Sequence, residues 1–263
     1  MLLAIDVGNT QTVLGVFQGR DLAWHWRMAT MAERTPDELA LLFGGFLEQH
    51  GLSFSRQISG VVISSVVPDQ SHALREMVHE YFHFEPVVLE PGVRTGIPIL
   101  TDNPKEVGAD RIANAVAAVD EFGGPCILVD FGTATTYDAV SENGEYLGGA
   151  IAPGIQVSAT GLFMATARLQ RVEIGEPRSV IGKNTVESIQ SGLLFGTAAE
   201  VDGMVERMEK ELGGDATVIA TGGLAAAIVP HCHTIDVHDP WLTLKGLRLV
   251  FEKNTEKSAE RDE

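Results

Sequence analysis

The residues best suited to binding or catalysis are two aspartates, each followed by a glycine and by hydroxyl or amide side chains. Asp6 begins the string Asp-Val-Gly-Asn-Thr-Gln-Thr, and Asp130 begins Asp-Phe-Gly-Thr-Ala-Thr-Thr. Glycine lets backbone N–H groups approach an anion closely, and Asn and Thr add donors to phosphate oxygens. The carboxylate repels phosphate but can hold a magnesium or monovalent cation that offsets its charge. The two strings therefore predict two phosphate-binding turns.

Each string follows one apolar run and precedes another, so a strand, a turn and a second strand occur twice. When the two strings are superposed at one constant offset in sequence, Asp6 aligns with Asp130 and Thr12 aligns with Thr136. Internal repeats constrain a fold more strongly than local propensity does. Either copy alone could be an ordinary β-hairpin with a polar turn. Two copies, each after a buried strand, favour two hairpins that grip a nucleotide triphosphate across a cleft.

The remaining pattern predicts the elements that position these turns. The motif Thr35-Pro36-Asp37-Glu38 opens a helix, with Thr35 as N-cap, Pro36 at the first helical position and Glu38 completing a capping box. The order of strand, strand, strand, helix, strand, helix and strand is that of an RNase H-like domain. The further predicted segments are strands 23–29, 60–66, 86–89, 146–152, 217–221 and 234–237, and helices 69–83, 108–122, 155–169, 184–211 and 224–229, with a last helix from Leu242.

These elements predict an α/β protein with a duplicated RNase H-like fold, in two domains with a central cleft. We expect a first domain at 1–115, a second at 116–253 and a disordered tail at 254–263, because the end is charged and lacks aromatic residues. The 19 basic and 36 acidic residues give a net charge of −17, which disfavours a nucleic-acid or anionic-membrane partner. Two cysteines form no disulfide framework, and no apolar run approaches the roughly 20 residues of a membrane span, so we expect a cytoplasmic protein.

A third candidate site lies between the repeats, where Gly108-Ala109-Asp110-Arg111 opens a helix. A helix N-terminus favours a negative charge, so Asp110 could accept a proton from a substrate hydroxyl, as the catalytic Asp of a kinase does. Arg111 offers a planar fork to a substrate carboxylate. The tetrapeptide is equally compatible with a helix-terminal charge paired with Arg111.

Three other motifs are explained by a purely structural role at least as well as by a binding role. Gly182-Lys183-Asn184-Thr185 fails as a Walker P-loop, because Asn184 stands where Ser or Thr is required, and Thr185 is by default an N-cap. Gly222-Gly223 could lie against an adenine or ribose, or could simply form a strand-to-helix turn. His231, His233 and His238 lack a second cluster that would complete a metal site, so a surface or packing role is favoured.

Taken together, the motifs resemble those of the type III pantothenate kinases, members of the actin-like ATPase superfamily of acetate kinase, Hsp70 and sugar kinases. The resemblance runs nearly end to end. It is carried by Asp6-Val7-Gly8-Asn9-Thr10, Arg34-Thr35-Pro36-Asp37-Glu38, Ser64-Ser65-Val66-Val67-Pro68, Asp102-Asn103-Pro104-Lys105-Glu106-Val107-Gly108-Ala109-Asp110-Arg111, Asp130-Phe131-Gly132-Thr133-Ala134-Thr135-Thr136, Gly149-Ala150-Ile151-Ala152-Pro153-Gly154, Gly182-Lys183-Asn184-Thr185, Thr221-Gly222-Gly223 and Leu242-Thr243-Leu244-Lys245-Gly246-Leu247.

The resemblance implies a homodimeric kinase that transfers phosphate from ATP to pantothenate, the first step of coenzyme A synthesis. It implies Mg²⁺ near Asp6, an activating potassium or ammonium ion at Asp130, and Asp110 as the proton acceptor. Thr185 would contact pantothenate across the dimer interface. The implied ATP contacts are Asp6, Val7, Gly8, Asn9, Thr10, Gln11, Thr12, Val13, Thr133, Gly222 and Gly223, and the implied pantothenate contacts are Gly108, Ala109, Asp110, Arg111 and Thr185.

One position departs from the pattern of this family, which often has Tyr immediately before Asp-Asn-Pro, where this chain has Thr101. Threonine offers less stacking area to a substrate. Two competing hypotheses keep the fold: a kinase that acts on another small hydroxy-carboxylate, and a catalytically silent regulatory relative. The intact set of Asp6, Asp110, Arg111 and Asp130 argues against the silent relative, because a regulator has no need of all four.

Overall fold

The computed structural model describes residues 1–166, 169 and 171–259, which divide into two compact units. The first unit contains Met1–Ile97, Asp102–Ala117 and the chain from Leu242 onward. The second contains Pro98–Thr101 and Ala118–Trp241. Each unit is built on one five-stranded sheet. No helix in the described part of the chain combines the length and apolar character that crossing a membrane requires.

The strands follow the predicted order along the chain. They are β1 (Leu2–Val7), β2 (Gln11–Gln18), β3 (Asp21–Ala29), β4 (Gly60–Ser65), β5 (Val87–Val88), β6 (Cys126–Phe131), β7 (Ala134–Val140), β8 (Tyr146–Pro153), β9 (Thr217–Thr221) and β10 (Val237–His238). The expected weak strand at 234–237 therefore begins three residues later, as the short strand β10.

The two sheets have the same topology, which confirms the duplication. Their strand orders are β3-β2-β1-β4-β5 and β8-β7-β6-β9-β10. In both, the first three strands of the unit pair antiparallel and the last two pair parallel. A β-bulge interrupts the second and third strands at matching places, between Val16 and Phe17 in one sheet and between Ala139 and Val140 in the other.

Helices connect these strands and cover the sheets. They are α1 (Pro36–Glu48), α2 (Phe54–Gln57), α3 (Pro68–Phe82), α4 (Ala109–Phe122), α5 (Ile155–Met164), α6 (Thr185–Leu212), α7 (Ala225–Ile228) and α8 (Leu242–Ala259). The capping box at Thr35 and Glu38 is confirmed. The helix expected at 155–169 ends at Met164, and Ala167, Arg168 and Gln170 lie outside the described residues.

In each sheet one face packs in a hydrophobic core and the aspartate lies on the other face, which in the first unit is covered by α8. Leu3, Ile5 and Val7 of β1 join a core with residues of α1 and α3. Side chains alternate along a strand, so Asp6 lies on the opposite face with Leu2 and Ala4. In the second unit Ile127, Val129 and Phe131 join a core with residues of α6, and by the same alternation Asp130 lies on the opposite face.

The last helix belongs to the first unit, which differs from the expected boundaries. We expected residues 116–253 in the second domain and a tail from 254, but α8 runs from Leu242 to Ala259 and contacts β1, β2 and β4. Its residues Leu244, Leu247 and Val250 are buried. Burial of this apolar stripe on the first sheet, which outweighs the charged composition of the end of the chain, explains the difference.

Candidate active site

The first hairpin carries Asp6 one residue before the end of β1. In the turn, the Gly8 amide donates to the Gln11 carbonyl oxygen at 3.0 Å, and the exposed residues Asn9 and Thr10 lie between them. Thr12 is buried, and its hydroxyl lies 2.9 Å from the Thr30 hydroxyl. The turn therefore presents amide and hydroxyl groups to solvent, while Thr12 supports it from inside.

The strand register corrects the superposition made from the sequence. Thr12 pairs with Val7, and in the second hairpin it is Thr135, not Thr136, that pairs with the equivalent Phe131. The first turn is one residue longer, because its closing bond joins Gly8 to Gln11, whereas the second joins Gly132 to Ala134. Equal spacing in sequence hid this insertion.

Contacts to the third strand identify the inserted residue as Asn9. The Thr30 amide donates to the Thr10 carbonyl oxygen at 3.0 Å, and in the second hairpin the Gly154 amide donates to the Thr133 carbonyl oxygen at 3.1 Å. Thr10 and Thr133 are therefore equivalent, and Asn9 has no counterpart. The Thr30 hydroxyl also donates to the Gly8 carbonyl oxygen at 2.8 Å, a bond that Gly154 cannot make.

The second hairpin places Asp130 against tightly packed backbone. Gly222 follows β9 with φ +96°, and a Cβ there would overlap Asp130 Oδ1 and lie 2.6 Å from the Phe131 nitrogen. Only glycine combines that dihedral with that approach. The predicted site residues Gly222 and Asp130 are thus in contact, and the neighbouring Gly223 and Thr133 are exposed.

The sheet face around Asp130 is polar. Thr136 pairs with Asp130 and therefore lies on the same face. Asp138, two residues further along β7, is fully buried and accepts hydrogen bonds from the Tyr146 hydroxyl at 2.5 Å and from the Thr136 hydroxyl at 3.4 Å. At the equivalent positions, the first sheet has Val13 and Gly15.

Asp110 lies in the first turn of α4, and its side chain folds back on the helix start. The Arg111 amide donates to Asp110 Oδ1 at 2.9 Å. A Cβ on Gly108 would lie 2.5 Å from the same oxygen, so the missing side chain makes room for the carboxylate. The predicted substrate residues Gly108, Ala109, Asp110 and Arg111 are half-buried.

Packing within the first unit puts Asp110 and Asp6 on the same side of the first sheet. Leu244 of α8 approaches Gly15, which pairs with Ala4 on the Asp6 face. The first half of α4 packs in turn on α8, because the Thr243 hydroxyl donates to Asn114 Oδ1 at 2.8 Å. The structure thus brings together two of the three predicted carboxylates in one unit, and Asp130 belongs to the other.

A cavity of about 660 Å³ lies at the start of α6 in the second unit. Polar groups of Lys183, Asn184, Thr185 and Ser188 line it, together with apolar residues that include Leu162 of α5. Asn184 is the N-cap, accepting from the Glu187 amide at 2.9 Å, so Thr185 is the first helical residue and not the cap we expected. Thr185 is exposed.

Glu187 stabilises the loop that leads into this helix. Its carboxylate pairs with Arg178 at 2.5 Å and accepts from the Lys183 amide at 3.1 Å. These hydrogen bonds lower the pKa of Glu187, with Arg178 as the largest cause. The loop beside Lys183 and Thr185 is therefore held by a charged pair.

Exposed apolar side chains cluster on α5 and near this loop. In the described chain the exposed apolar side chains of the second unit include Ile151, Val157, Leu162, Phe163, Met164, Val180 and Ile181, with Met164 and Ile181 each 78% accessible. Scattered apolar residues are common on protein surfaces, but a contiguous group marks an interaction surface. Leu162 of α5 and Gly182, which follows Ile181, line the same cavity, so the two parts of this group are neighbours.

The histidine and cysteine motif has a structural role. His231 ends a short 3-10 helix, and His233 pairs with Asp202 at 2.7 Å. Burial raises the pKa of Cys232 to about 12 and that of Cys126 to about 11. Among the residues described, no group of three or more His, Cys, Asp or Glu side chains is arranged to hold a metal ion.

Sequence reasoning missed three residues beside the predicted ones. Thr30 is bonded to the first turn, while Ser64 and Thr221 are buried and pair with Asp6 and Asp130 in the parallel neighbouring strands. The signal was present for Ser64 and Thr221, because each ends an apolar run and the ends of parallel strands meet at one sheet edge. Nothing local marks Thr30.

Comparison with known proteins agrees with this architecture. Residues 2–207 match the family model described as type III pantothenate kinase. A type III pantothenate kinase from Streptomyces griseus subsp. griseus is 57% identical over 98% of this chain and 100% of its own length.

Two solved structures are similar at low sequence identity, which shows the fold alone. The activator of the 2-hydroxyisocaproyl-CoA dehydratase from Clostridium difficile with bound ADPNP has a TM-score of 0.59 at 13% identity, covering 98% of this chain and 97% of that one. A ROK hexokinase from Thermus thermophilus has a TM-score of 0.51 at 14% identity, covering 95% and 97%. Both likenesses support the duplicated actin-like fold.

Proposed function

The chain belongs to the type III pantothenate kinase family, and we propose that it transfers the terminal phosphoryl group of ATP to the 4′-hydroxyl of pantothenate. The product is 4′-phosphopantothenate, the first intermediate of coenzyme A synthesis. The observation that carries this proposal is the placement of Asp110 and Asp6 on the same side of the first sheet. We place the reaction in the cytoplasm, because the structure leaves both cysteines unpaired.

Residues 6–13 bind the ATP phosphates mainly through backbone groups and the exposed side chains of the turn. Asn9, Thr10 and Gln11 are exposed, so their donors can reach phosphate. The side chain of Val7 belongs to the core and that of Thr12 is buried against Thr30, so both serve through the backbone. In the second unit, Thr133, Gly222 and Gly223 offer the remaining nucleotide contacts.

The residues present fit two cations. Asp6 would hold Mg²⁺, and a buried hydroxyl with no hydrogen-bond partner in the described chain, Ser64 Oγ, lies on the strand beside it. Asp130, packed against Gly222 and paired with Thr136, would hold potassium or ammonium through oxygen ligands, the donors that hard cations prefer. Bound cations supply positive charge to the phosphates that a chain of net charge −17 does not supply.

Asp110 positions the substrate hydroxyl and accepts its proton. One carboxylate oxygen already accepts from the Arg111 amide, and we assign the other, Oδ2, to the hydroxyl. The guanidinium of Arg111 would bind the pantothenate carboxylate. Phosphoryl transfer has a loose transition state, so positioning and electrostatics contribute more than the strength of the base.

We also propose a homodimer in which Thr185 of one copy contacts pantothenate bound by the other. Helix α6 packs on the face of the second sheet opposite to Asp130, so a direct role for Thr185 at Asp130 in the same unit is disfavoured. The exposed apolar group on α5 and at residues 180–181 provides a surface for the second copy. Sedimentation of the purified protein tests this, and a monomer at micromolar concentration would contradict it.

The kinase assignment is tested by ADP release from ATP, Mg²⁺ and pantothenate, with and without potassium, against a panel of other small hydroxy-carboxylates. Asp110→Asn should lose turnover by about 10²–10⁴-fold and keep nucleotide binding, because only the proton acceptor is removed. Asp120→Asn, an exposed carboxylate further along the same helix, is the matched control. Near-normal turnover of Asp110→Asn would refute the role, and release that does not depend on pantothenate would refute the substrate.

A further inference from the structure

One buried hydroxyl next to the first aspartate lacks a hydrogen bond. Ser64 is fully buried in β4, and its Oγ has no hydrogen-bond partner among the residues the structure describes. The adjacent Ser65 differs, because its hydroxyl donates to the Val67 carbonyl oxygen at 2.9 Å and accepts from the Val67 amide. A buried hydroxyl without a partner costs stability, and native proteins contain few of them. Ser64 therefore calls for an explanation.

The strand register places this hydroxyl beside the Asp6 carboxylate. Ser64 and Asp6 are directly opposite each other in the parallel pair of β4 and β1. Neighbouring strands lie about 4.8 Å apart, and in-register residues of a parallel pair point to the same face. A rotation of the Ser64 side chain can therefore bring its hydroxyl to a carboxylate oxygen of Asp6.

The duplication repeats this arrangement in the second unit. Thr221 is directly opposite Asp130 in the parallel pair of β9 and β6, and it too is buried. The two halves differ at many neighbouring positions, such as Val13 against Thr136. A buried hydroxyl beside the aspartate is nevertheless present in both, which points to a shared task at the carboxylate.

We propose that Ser64 is a positioning residue that donates a hydrogen bond to Asp6 when Asp6 holds the cation of the bound nucleotide. Carboxylates that hold a metal are generally themselves hydrogen-bonded, and the loss of such a partner typically lowers metal affinity by about 10–100-fold. Such a hydrogen bond would satisfy the buried hydroxyl of Ser64. This inference rests on the proposed assignment of Mg²⁺ to Asp6.

The test compares metal binding with the stability of the ligand-free protein. Calorimetric titration with ADP, in EDTA and then in excess MgCl₂, gives the factor by which magnesium tightens ADP binding. Thermal unfolding in EDTA gives the stability. Ser64→Ala should reduce that tightening by about 10–100-fold while the ADP affinity in EDTA stays unchanged. Its unfolding midpoint in EDTA should stay equal or rise, because an unpartnered buried hydroxyl is removed.

Three further variants separate the possible outcomes. Ser64→Thr keeps the hydroxyl, as Thr221 does in the other unit, and should retain the tightening by magnesium. Thr221→Ala removes the matched hydroxyl beside Asp130 and should leave the tightening unchanged. In the Asp6→Asn background, Ser64→Ala should have no further effect.

The contrary results are equally distinct. Normal magnesium tightening in Ser64→Ala would overturn the proposal, and so would a lowered unfolding midpoint with unchanged tightening, which is the signature of a purely structural serine. Equal losses in Ser64→Ala and Thr221→Ala would also overturn it, because general loosening would then explain both. If Asp6→Asn itself kept the magnesium dependence, the assignment of the cation to Asp6 would fail, and the inference would fail with it.

Discussion

The two hairpins share a plan but hold their turns by different means. The first turn is tied by side chains, because the Thr30 hydroxyl binds both the Gly8 carbonyl oxygen and Thr12. The second has Gly154 at the position of Thr30 and is held through backbone contacts. Gly222 presses against Asp130 from the neighbouring strand. A duplicated unit has thus kept its strands and changed the two turns.

The differences are concentrated around the aspartates. Strand order, pairing direction and bulge position agree between the sheets. Around Asp6 the face carries Val13 and is covered by α8, whereas around Asp130 it carries Thr136 and the buried Asp138. A longer, donor-rich turn suits phosphate with Mg²⁺, and a polar face packed with oxygens suits a monovalent ion. This contrast supports the unequal roles we propose.

Neutralising Asp6 and Asp130 in turn should have the largest effect on activity, and the two variants should respond to different cations. Asp6→Asn should lower kcat by about 10²–10³-fold, because it removes the carboxylate that would hold the cation stabilising charge on the transferring phosphate. Asp130→Asn should instead abolish activation by potassium and keep the magnesium dependence. The measurement is ADP release titrated separately with MgCl₂ and KCl.

The pair of variants contains its own control, because the same change is made at equivalent positions of the two sheets. Circular dichroism should show the same folded signal for both. If both variants changed the dependence on the same ion to the same extent, the two hairpins would be functionally equal. That result would contradict the unequal roles proposed for them.

Much of the fold could be predicted from the sequence, because it depends on local patterns. Alternating and apolar runs predicted both hairpins, and Thr35 and Glu38 predicted the start of α1. The register could not be predicted, because equal spacing between the Asp6 and Asp130 strings hid the insertion of Asn9 in one turn. The position of α8 depends on long-range burial against β1 and β4, which composition at the end of the chain does not indicate.

The site residues divide in the same way. Asp6, Asp110 and Asp130 are marked by their neighbours in sequence, so the motifs alone were enough to propose them. Ser64 and Thr221 end apolar runs in the sequence, but the register between distant strands is what pairs them with Asp6 and Asp130.

Substituting Gly222 tests the backbone packing that holds the second hairpin. Gly222→Ala should lower the free energy of unfolding by about 3 kcal/mol, because the residue has φ +96° and its Cβ would overlap Asp130. Gly223→Ala is the matched control: Gly223 is exposed and lies outside the left-handed region, so its change should stay within about 0.5 kcal/mol. Urea unfolding measures both, and equal losses would show that the packing against Asp130 is not what Gly222 provides.

The smallest expected effect concerns the side-chain tie of the first hairpin, that is, the hydrogen bonds of the Thr30 hydroxyl with Gly8 and Thr12. Thr30→Val keeps the shape of the side chain but removes the donor to the Gly8 carbonyl oxygen and leaves the buried Thr12 hydroxyl without its partner. We expect a loss of about 1–2 kcal/mol in unfolding free energy, while Thr30→Ser, which retains the hydroxyl, should lose less. Thr135→Val, at the position of Thr12 in the second hairpin, should cost less than Thr30→Val, because Gly154 offers it no hydroxyl. Equal costs for Thr30→Val and Thr135→Val would mean that the side-chain tie is not what distinguishes the first turn from the second.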